Sequence, residues 1–311
     1  MDTRRIGSLD VSVVGLGCNN FGGRLDFERT KAVVEAALDA GITLLDTADT
    51  YGGTNSEEFL GRILTGRRDR VVIATKFGMA IDEHRKGAKP AYVKRACEDS
   101  LRRLRTDRID LYQLHRPDPE TPIADTLGAL DQLVRAGKVR EIGCSFFNAA
   151  ELREAKAAAG KGAHFVSVQN EYSLLVRDPE REVLAECERE VLAFLPYFPL
   201  ASGLLTGKYQ PGRPAPPGTR LSNPDSAQRF LSDRRVEVAA ALEAFAEQRG
   251  HTLLELAFSW LLRHRVLASV IAGATSPDQV RANTRAAGWR LTEDDLAQVE
   301  AIAPPVPGGG P

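Results

Sequence analysis

Four side chains with complementary acid–base chemistry stand near the ends of apolar segments in this 311-residue chain. Asp46 and Tyr51 follow one segment, Lys76 ends the next, and His115 ends the one after that. A tyrosine hydroxyl can donate a proton to a carbonyl oxygen, and a nearby ammonium lowers its pKa from the ordinary value of about 10. An aspartate can pair with that ammonium, and a histidine can orient the oxygen. Together the four indicate reduction of a carbonyl group.

Carbonyl reduction also needs hydride, which no side chain donates, so this chemistry requires a nicotinamide cofactor. Lysines at strand ends support a second chemistry, in which a neutral Lys76 forms a Schiff base in a lyase. An aspartate as close as Asp46 would keep the lysine charged and oppose that reaction. A reductase is therefore the first hypothesis, and a Schiff-base lyase is an alternative.

The elements that must position these side chains are eight short apolar segments, which alternate with amphipathic helical patterns. An open doubly wound sheet and a closed (β/α)8 TIM barrel both fit this alternation, but eight strand candidates, with similar spacing for most units and no second domain, favour the barrel. The carboxyl ends of barrel strands meet at one mouth, so this α/β fold would bring the four side chains together. The predicted strands lie at 13–16, 43–45, 71–74, 109–112, 141–144, 165–168, 191–194 and 268–271.

Further segments complete the predicted architecture. Residues 4–11 surround Gly7 and Ser8 and predict an N-terminal β-hairpin that closes the bottom of the barrel. A Pro/Gly-rich stretch at about 204–228 predicts a long loop between strands seven and eight, which we interpret as a cofactor lid. We expect a single (β/α)8 domain over 1–303 and a Pro/Gly-rich tail over 304–311.

Composition argues against several other kinds of protein. The 41 Lys and Arg residues nearly balance the 42 Asp and Glu residues, so no basic field is present to hold nucleic acid. No run of ~18 apolar residues predicts a membrane span, and the first residues are too polar for a secretory signal. The four cysteines match no zinc-binding spacing. We expect a cytoplasmic protein with a small-molecule carbonyl substrate and no metal, nucleic acid or membrane partner.

Residues 15–23 are a candidate for a phosphate-binding loop of the GxGxxG type. Asn20 stands where the third glycine belongs, and the following residues lead only loosely into a helix. We therefore expect a dinucleotide to bind in the mouth of the barrel.

These motifs resemble, in order, those of the aldo-keto reductases. The resemblance extends from about residue 5 to 296 and includes GITLLDTADTYG at 41–52, Thr75 with Lys76, DLYQLH at 110–115 and GKVREIG at 137–143. The segment LASGLLTGKY at 200–209 is most similar to the branch with potassium-channel β subunits and their bacterial relatives. The resemblance implies an NAD(P)H-dependent (β/α)8 enzyme that reduces aldehydes or ketones to alcohols.

The resemblance also assigns site residues. Catalysis falls to Tyr51, Asp46, Lys76 and His115. Ser145 and Gln169 would bind the nicotinamide carboxamide. The residue after the serine is usually asparagine and is Phe146 here, so Asn148 is a candidate replacement. Tyr197 would stack on the nicotinamide, and Lys208 would grip the diphosphate. The full set implied to bind the cofactor is Cys18, Asn19, Asp46, Ser145, Gln169, Tyr197, Phe198, Pro199, Leu200, Ala201, Ser202, Gly203, Leu204, Lys208, Arg220, Gly273, Thr275, Gln279 and Asn283.

The adenosine-phosphate segment bears on the choice of cofactor. Many family members have a lysine and an arginine where this chain has Gly273 and Gln279, yet the channel-subunit branch lacks both and uses NADPH. Ser276, Arg281 or Arg220 could supply contacts to a 2′-phosphate, since arginine binds phosphate in a bidentate manner. NADPH is the expected cofactor and NADH the alternative. The channel-subunit likeness also leaves open a cofactor-binding redox sensor or regulatory protein with slow turnover.

Loops at the mouth should form the substrate pocket, chiefly 19–27, 78–89 and 116–120 together with the C-terminus. Four phenylalanines near the ends of strands predict an aromatic, fairly apolar lining that suits carbonyl compounds with hydrophobic groups. They are Phe21, Phe77, Phe146 and Phe198.

Overall fold

The computed structural model describes residues 1–305, so the expected tail from residue 306 onward lies outside the described residues. Within the described part, strands and helices alternate along the chain as the hydrophobic pattern predicts. The predicted N-terminal hairpin is present and consists of β1 (Thr3–Ile6) and β2 (Leu9–Ser12), paired antiparallel.

Eight parallel strands follow the hairpin and form a barrel. From β3 to β9 each strand pairs with the next in sequence, and β10 pairs with β3 on its other side. A parallel bridge between Phe194 and Leu267 brings β9 beside the segment that leads into β10. This closure confirms the TIM barrel over the open doubly wound sheet. The strands are β3 (Val14–Gly17), β4 (Leu44–Asp46), β5 (Val72–Phe77), β6 (Ile109–Leu114), β7 (Val139–Ser145), β8 (Phe165–Glu171), β9 (Ala193–Tyr197) and β10 (Val270–Gly273).

Helices surround the barrel and bury their apolar faces against it. Caps define several of their ends: Pro90 begins α3, where a missing N–H costs little, and Gly41 follows α1 with a φ of 79°. None of the helices within residues 1–305 combines the length and apolarity that crossing a bilayer requires. They are α1 (Phe27–Asp39), α2 (Asn55–Ile63), α3 (Pro90–Leu104), α4 (Ile123–Arg135), α5 (Ala149–Ala159), α6 (Val183–Glu190), α7 (Pro224–Phe230), α8 (Asp233–Glu247), α9 (Leu253–Leu262), α10 (Pro277–Arg285) and α11 (Glu293–Ile302).

The strand boundaries differ from the sequence prediction by up to three residues, and two departures, one in a strand and one in a loop, have a physical reason. The seventh barrel strand begins at Ala193 rather than at Val191, because Val191 ends α6 in a left-handed conformation and points into solvent. The loop expected over about 204–228 is not wholly irregular, since α7 begins at Pro224 and a single helical turn occupies Arg220–Ser222. Proline at the first position of α7 is compatible with a helix start, so the proline-rich composition hid this element.

The barrel interior consists of an apolar layer with a polar layer above it. Ile6, Leu9 and Val11 of the hairpin pack against interior residues of the barrel strands. Alternate residues of a strand face the same side, so each interior residue is followed two positions later by another interior residue. The apolar residues Leu44, Ala74 and Leu111 are followed in this way by Asp46, Lys76 and Gln113.

Candidate active site

Lys76 lies at the centre of the polar layer. Its Nζ is 2.6 Å from Oδ2 of Asp46, 2.9 Å from the carbonyl oxygen of Thr47 and 3.4 Å from the hydroxyl oxygen of Tyr51. Burial by itself would lower the pKa of Lys76, but the ion pair with Asp46 and the contact with Tyr51 raise it above its ordinary value. The lysine is therefore a fixed ammonium that touches both an aspartate and a phenol.

Asp46 is held from several sides. While Oδ2 accepts from Lys76, Oδ1 accepts hydrogen bonds from the side-chain amides of Gln113 at 3.2 Å and Gln169 at 2.9 Å. The sequence analysis gave no role to Gln113. The available signal was its position two residues after Leu111, which puts its side chain on the interior face of β6.

Tyr51 is brought toward Lys76 by a tight turn after β4. Gly52 has a φ of 59°, and a Cβ there would lie 2.2 Å from the carbonyl oxygen of Phe21, so only glycine fits. Burial raises the pKa of Tyr51 above its ordinary value, and the charge of Lys76 opposes this only in part. The expectation that the lysine gives Tyr51 a lowered pKa is therefore wrong, because desolvation of the phenolate outweighs the attraction.

His115 completes the group of four. Its ring lies 6.0 Å from that of Tyr51 in an edge-on arrangement, and among the described residues its buried Nδ1 has no hydrogen-bond partner. Burial, followed by the positive charges of Lys76 and Arg116, lowers the pKa of His115 to about 3. The imidazole is neutral at physiological pH and has a polar atom available for a ligand.

The residues expected at the nicotinamide carboxamide are already engaged with one another. The hydroxyl of Ser145 donates to the carbonyl oxygen of Gln169 at 2.6 Å, and the amide of Gln169 donates to Asp46. Asn148 does not replace the usual asparagine, because its side chain caps α5 by accepting from the amide of Glu151. Cys18, expected near the nicotinamide ribose, is fully buried and its backbone amide donates to the carbonyl oxygen of Asp46 at 2.9 Å.

Aromatic rings line one side of the mouth. The ring of Tyr197 lies 5.2 Å from Phe146 and 5.3 Å from Phe198. Phe146 is exposed and has a left-handed φ of 63°. The prediction that Phe21 and Phe77 line the pocket is wrong, since both are fully buried in the core and Phe77 stacks on Tyr112. The alternation of side chains along β5 already places Phe77 on the face opposite to Lys76, whereas Phe21 lies in a loop, where no alternation indicates which way its ring faces.

The segment after β9 has an unusual backbone. Ala201, Ser202 and Gly203 have successive left-handed φ values of 45°, 58° and 97°. Such conformations are unfavourable for residues other than glycine and concentrate at functional sites. The buried hydroxyl of Ser202 has no hydrogen-bond partner among the described residues. Of the neighbouring residues expected at the cofactor, Pro199 and Leu204 are buried and Leu200 is half-buried.

Three cations gather beside this segment. A Cβ at Gly203 would lie 3.1 Å from Nζ of Lys208, so the ammonium is adjacent to the left-handed turn. Desolvation and the like charges of Arg24 and Arg220 lower the pKa of Lys208, and desolvation and Arg24 lower that of Arg220. The sequence analysis missed Arg24, because only the path of the loop after β3 brings it here. Mutual repulsion of this kind is relieved by an anion.

The same arginines connect two loops across the mouth. Arg220 donates to Oδ1 of Asn20 at 2.8 Å and approaches Oδ1 of Asn19 at 3.5 Å. Arg24 donates to the carbonyl oxygen of Gly218 at 3.2 Å. The long loop after β9 is thus fastened to the loop after β3, as a lid over this part of the site would be.

The segment expected to bind the adenosine phosphate forms the start of α10. Gln279 accepts from the amide of Thr275 at 2.8 Å, and Ser276 caps the helix. Arg281 forms an ion pair with Asp278 at 2.6 Å on the surface, so this arginine is not an uncompensated charge. Of the other residues expected here, Gly273 is exposed and Asn283 is buried.

Known proteins are similar to this chain in sequence and in fold. The sequence profile of the Aldo/keto reductase family matches residues 13–304. Aldo-keto reductase YhdN of Bacillus subtilis (strain 168) is 34% identical over 306 residues, which cover 94% of this chain and 90% of the relative. Aldo-keto reductase str7 of Strobilurus tenacellus is 38% identical over 320 residues, which cover 97% of this chain and 92% of the relative.

Two solved structures are similar over nearly their whole length. The glycerol dehydrogenase AKR11B4 from Gluconobacter oxydans has a TM-score of 0.86 and 31% identity, with 100% of this chain and 98% of that chain covered. The holo form of the aldo-keto reductase AKR11C1 from Bacillus halodurans has a TM-score of 0.81 and 34% identity, with 97% and 96% covered.

Proposed function

The chain belongs to the aldo/keto reductase family, and from this premise we propose that it reduces aldehydes or ketones to alcohols with NADPH, using Tyr51 as the proton donor. The observation that carries the proposal is the contact of Lys76 with both Tyr51, at 3.4 Å, and Asp46, at 2.6 Å. It is the arrangement that a phenol needs in order to lose its proton in a buried site.

The proton comes from the hydroxyl of Tyr51 and goes to the carbonyl oxygen of the substrate. Because burial raises the pKa of Tyr51, the phenol holds its proton until a basic oxygen develops on the substrate. The ammonium of Lys76 then stabilises the phenolate that is left, and Asp46 holds the ammonium in place. A reduced nicotinamide, when bound, supplies the hydride that the carbonyl carbon receives.

His115 is suited to orienting the substrate rather than to acid catalysis. With a pKa lowered to about 3, its imidazole carries no extra proton to give at neutral pH. Its neutral ring can hydrogen-bond to the substrate oxygen and hold it near Tyr51. This division of roles favours Tyr51 over His115 as the acid.

Lys76 itself is poorly suited to the alternative lyase chemistry. A Schiff base requires a neutral amine, whereas the pKa of Lys76 is raised and its ammonium is engaged by Asp46, Thr47 and Tyr51. The reductase reading therefore accounts for the lysine better than the lyase reading does.

The residues around the left-handed turn fit a dinucleotide diphosphate. The hydroxyl of Ser202, which has no partner among the described residues, and the repelling charges of Lys208 and Arg24 would be satisfied by the diphosphate, which leaves Arg220 for the 2′-phosphate. Tyr197 and Phe198 would hold the nicotinamide end, with Ser145 and Gln169 at its carboxamide. The holo form of the similar structure AKR11C1 supports a bound cofactor in this fold.

The preference for NADPH over NADH rests on Arg220 as the cation for the 2′-phosphate. Arg281 is neutralised by Asp278 and supports NADPH less than the sequence analysis expected. The proposed order of affinity is NADPH above NADH, with both able to bind.

The test is a panel of aldehydes and ketones assayed by loss of NADPH absorbance, with Tyr51→Phe as the critical variant. We expect turnover to fall by about 100- to 10,000-fold, the usual contribution of general acid catalysis, while NADPH still binds as judged by fluorescence titration. Tyr92→Phe, which removes a hydroxyl from α3 outside the site, should keep its turnover. Near wild-type turnover of Tyr51→Phe would exclude Tyr51 as the acid, whereas tight cofactor binding with negligible wild-type turnover would favour the redox sensor.

A further inference from the structure

Arg116 is an uncompensated cation at the edge of the site. It directly follows His115, its side chain is exposed, and its guanidinium carbon lies 4.3 Å from the centre of the Phe146 ring. Within residues 1–305 the guanidinium contacts this ring and makes neither a hydrogen bond nor an ion pair. An arginine that has no acidic partner and lies beside a reaction centre can bind a ligand that carries a negative charge.

The nearest carboxylate in sequence is used elsewhere. Asp118 accepts from the amide of Ala88 at 2.7 Å, from the hydroxyl of Thr121 at 2.8 Å and from the amide of Glu120 at 3.0 Å. It is therefore part of the turn that joins this loop to the loop after β5. Asp118, the acidic residue nearest to Arg116 in sequence, is engaged in these hydrogen bonds and does not pair with Arg116.

The stack on Phe146 leaves the binding edge of the guanidinium available. A guanidinium contacts a ring through its flat face, while its five N–H groups point outward in the plane. The Phe146 ring itself lies 5.2 Å from that of Tyr197, with the two planes tilted by 35°, and the backbone of Phe146 is left-handed. The contact with the ring thus leaves available the donors that match a carboxylate.

Arg116 lies close enough to the reaction centre to act on the same molecule. Its charge contributes to the lowered pKa of His115, which is the residue that would orient the carbonyl oxygen. Phe146 connects it to Tyr197 on the other side of the mouth. The other cations are assigned to different partners, since Lys76 pairs with Asp46 and Lys208 belongs to the cluster beside Ser202.

We propose that Arg116 binds a carboxylate group on the substrate, so that this reductase favours oxo acids over uncharged carbonyl compounds of the same size. The proposal rests on the proposed function and adds the class of substrate. It also gives a role to Phe146, which stands where many relatives have an asparagine: its ring is the support on which Arg116 is held.

The experiment compares two aldehydes that differ in charge and little else, para-formylbenzoate and its methyl ester. Wild type, Arg116→Gln, Arg116→Lys and the control Arg135→Gln are assayed with NADPH. Arg135 lies on the outer face of α4, so its variant has the same net charge as Arg116→Gln without a change at the mouth.

We expect wild type to prefer the acid, and Arg116→Gln to lose about 10- to 100-fold in kcat/KM for the acid, as for a lost charged hydrogen bond. Its kcat/KM for the ester should stay within about 3-fold, since the ester makes no ion pair. The kcat/KM of Arg116→Lys for the acid should lie between those of wild type and Arg116→Gln, because lysine keeps the positive charge and lacks the paired N–H donors of a guanidinium. Equal losses on both aldehydes would overturn the proposal and assign Arg116 to holding Phe146 and Tyr197. A wild-type preference for the ester would also overturn it.

A binding measurement separates this proposal from the proposed function. Calorimetry with para-(hydroxymethyl)benzoate and its methyl ester, in the presence of NADP, measures carboxylate recognition without turnover. Tighter binding of para-(hydroxymethyl)benzoate by wild type than by Arg116→Gln supports the proposal even if neither aldehyde is reduced. The absence of turnover would then count against the reductase function alone. Equal binding by the two proteins would overturn the proposal even if both aldehydes are reduced.

Discussion

Gln169 donates its side-chain amide to Oδ1 of Asp46 over 2.9 Å, although 123 residues separate them in sequence. The other oxygen of that carboxylate binds Lys76, and Gln113 adds a third donor from a strand between them. The orientation of the ammonium toward Tyr51 therefore depends on strands from both halves of the barrel. A carboxylate fixed in this way keeps its geometry when the charge on Tyr51 changes.

The first prediction concerns Gln113, which we assign as a positioning residue. Gln113→Met keeps the volume and removes one donor to Asp46, so kcat should fall about tenfold while KM and NADPH affinity change little. The matched control is Gln132→Met on the exposed face of α4. A shift of the pH profile of kcat should accompany the loss, because Asp46 sets the ionisation of Lys76. A proportional loss of folded protein with an unchanged profile would contradict the assignment.

The second prediction concerns the acid side of the pH profile. The pKa of His115 is lowered to about 3, so the imidazole stays neutral throughout the ordinary range and charges only below that value. The profile of kcat/KM should therefore show no step near the usual histidine pKa of about 6.5. His115→Gln should lower activity and keep the same flat acid side. A step near pH 6 that disappears in His115→Gln would show that His115 titrates during catalysis.

The third prediction concerns the contact between the two loops. Arg220→Gln removes the bond to Asn20 and one cation from the cluster, so NADPH should dissociate about tenfold faster in stopped-flow fluorescence. Arg213→Gln changes an exposed arginine of the same loop and should have no such effect. Asn20→Ala combined with Arg220→Gln should be less than additive, because the two residues share one contact. Full additivity would contradict a role for that contact.

The fourth prediction concerns selection between the two cofactors. Asp278→Ala releases Arg281 from its ion pair and adds an uncompensated charge near the expected 2′-phosphate site. The ratio of NADPH to NADH affinity should rise a few-fold. Asp39→Ala removes one acidic charge at the end of α1 and should leave that ratio unchanged. An equal increase in both variants would mean that net charge, rather than Arg281, sets the preference.

The fifth prediction concerns Asp49, a buried carboxyl with no side-chain hydrogen bond among the described residues. Burial and the nearby charge of Glu57 raise its pKa to about 8 from the ordinary 3.8. The folded protein therefore binds this proton more tightly than the unfolded chain, and stability falls as pH rises between those two values. Asp49→Asn should raise the Tm at pH 9 by several degrees and do less at pH 5. Parallel Tm curves for the two proteins would contradict the raised pKa.

The barrel and the positions of Asp46, Lys76 and His115 could be predicted from the sequence, because short apolar segments indicate where strands end. The contacts of Arg24 and Arg116 could not be predicted in this way, since each depends on the path of a loop at the mouth. The raised pKa of Tyr51 was missed for another reason. Proximity to Lys76 could be inferred from spacing, but the depth of burial is a property of the whole packed mouth. Phe21 was misassigned because the facing of a loop residue is likewise set by tertiary packing, whereas the alternation along β5 could have excluded Phe77.

The hairpin beneath the barrel has a consequence for the chemistry above it. Ile6, Leu9 and Val11 pack with Leu44, Ala74 and Leu111, the interior residues directly below Asp46, Lys76 and Gln113. On this side the Asp46–Lys76 pair is therefore bordered by hydrocarbon, where an ion pair is stronger than it is in water. The first dozen residues, which contain none of the four site residues, thereby contribute to the apolar surroundings of that ion pair.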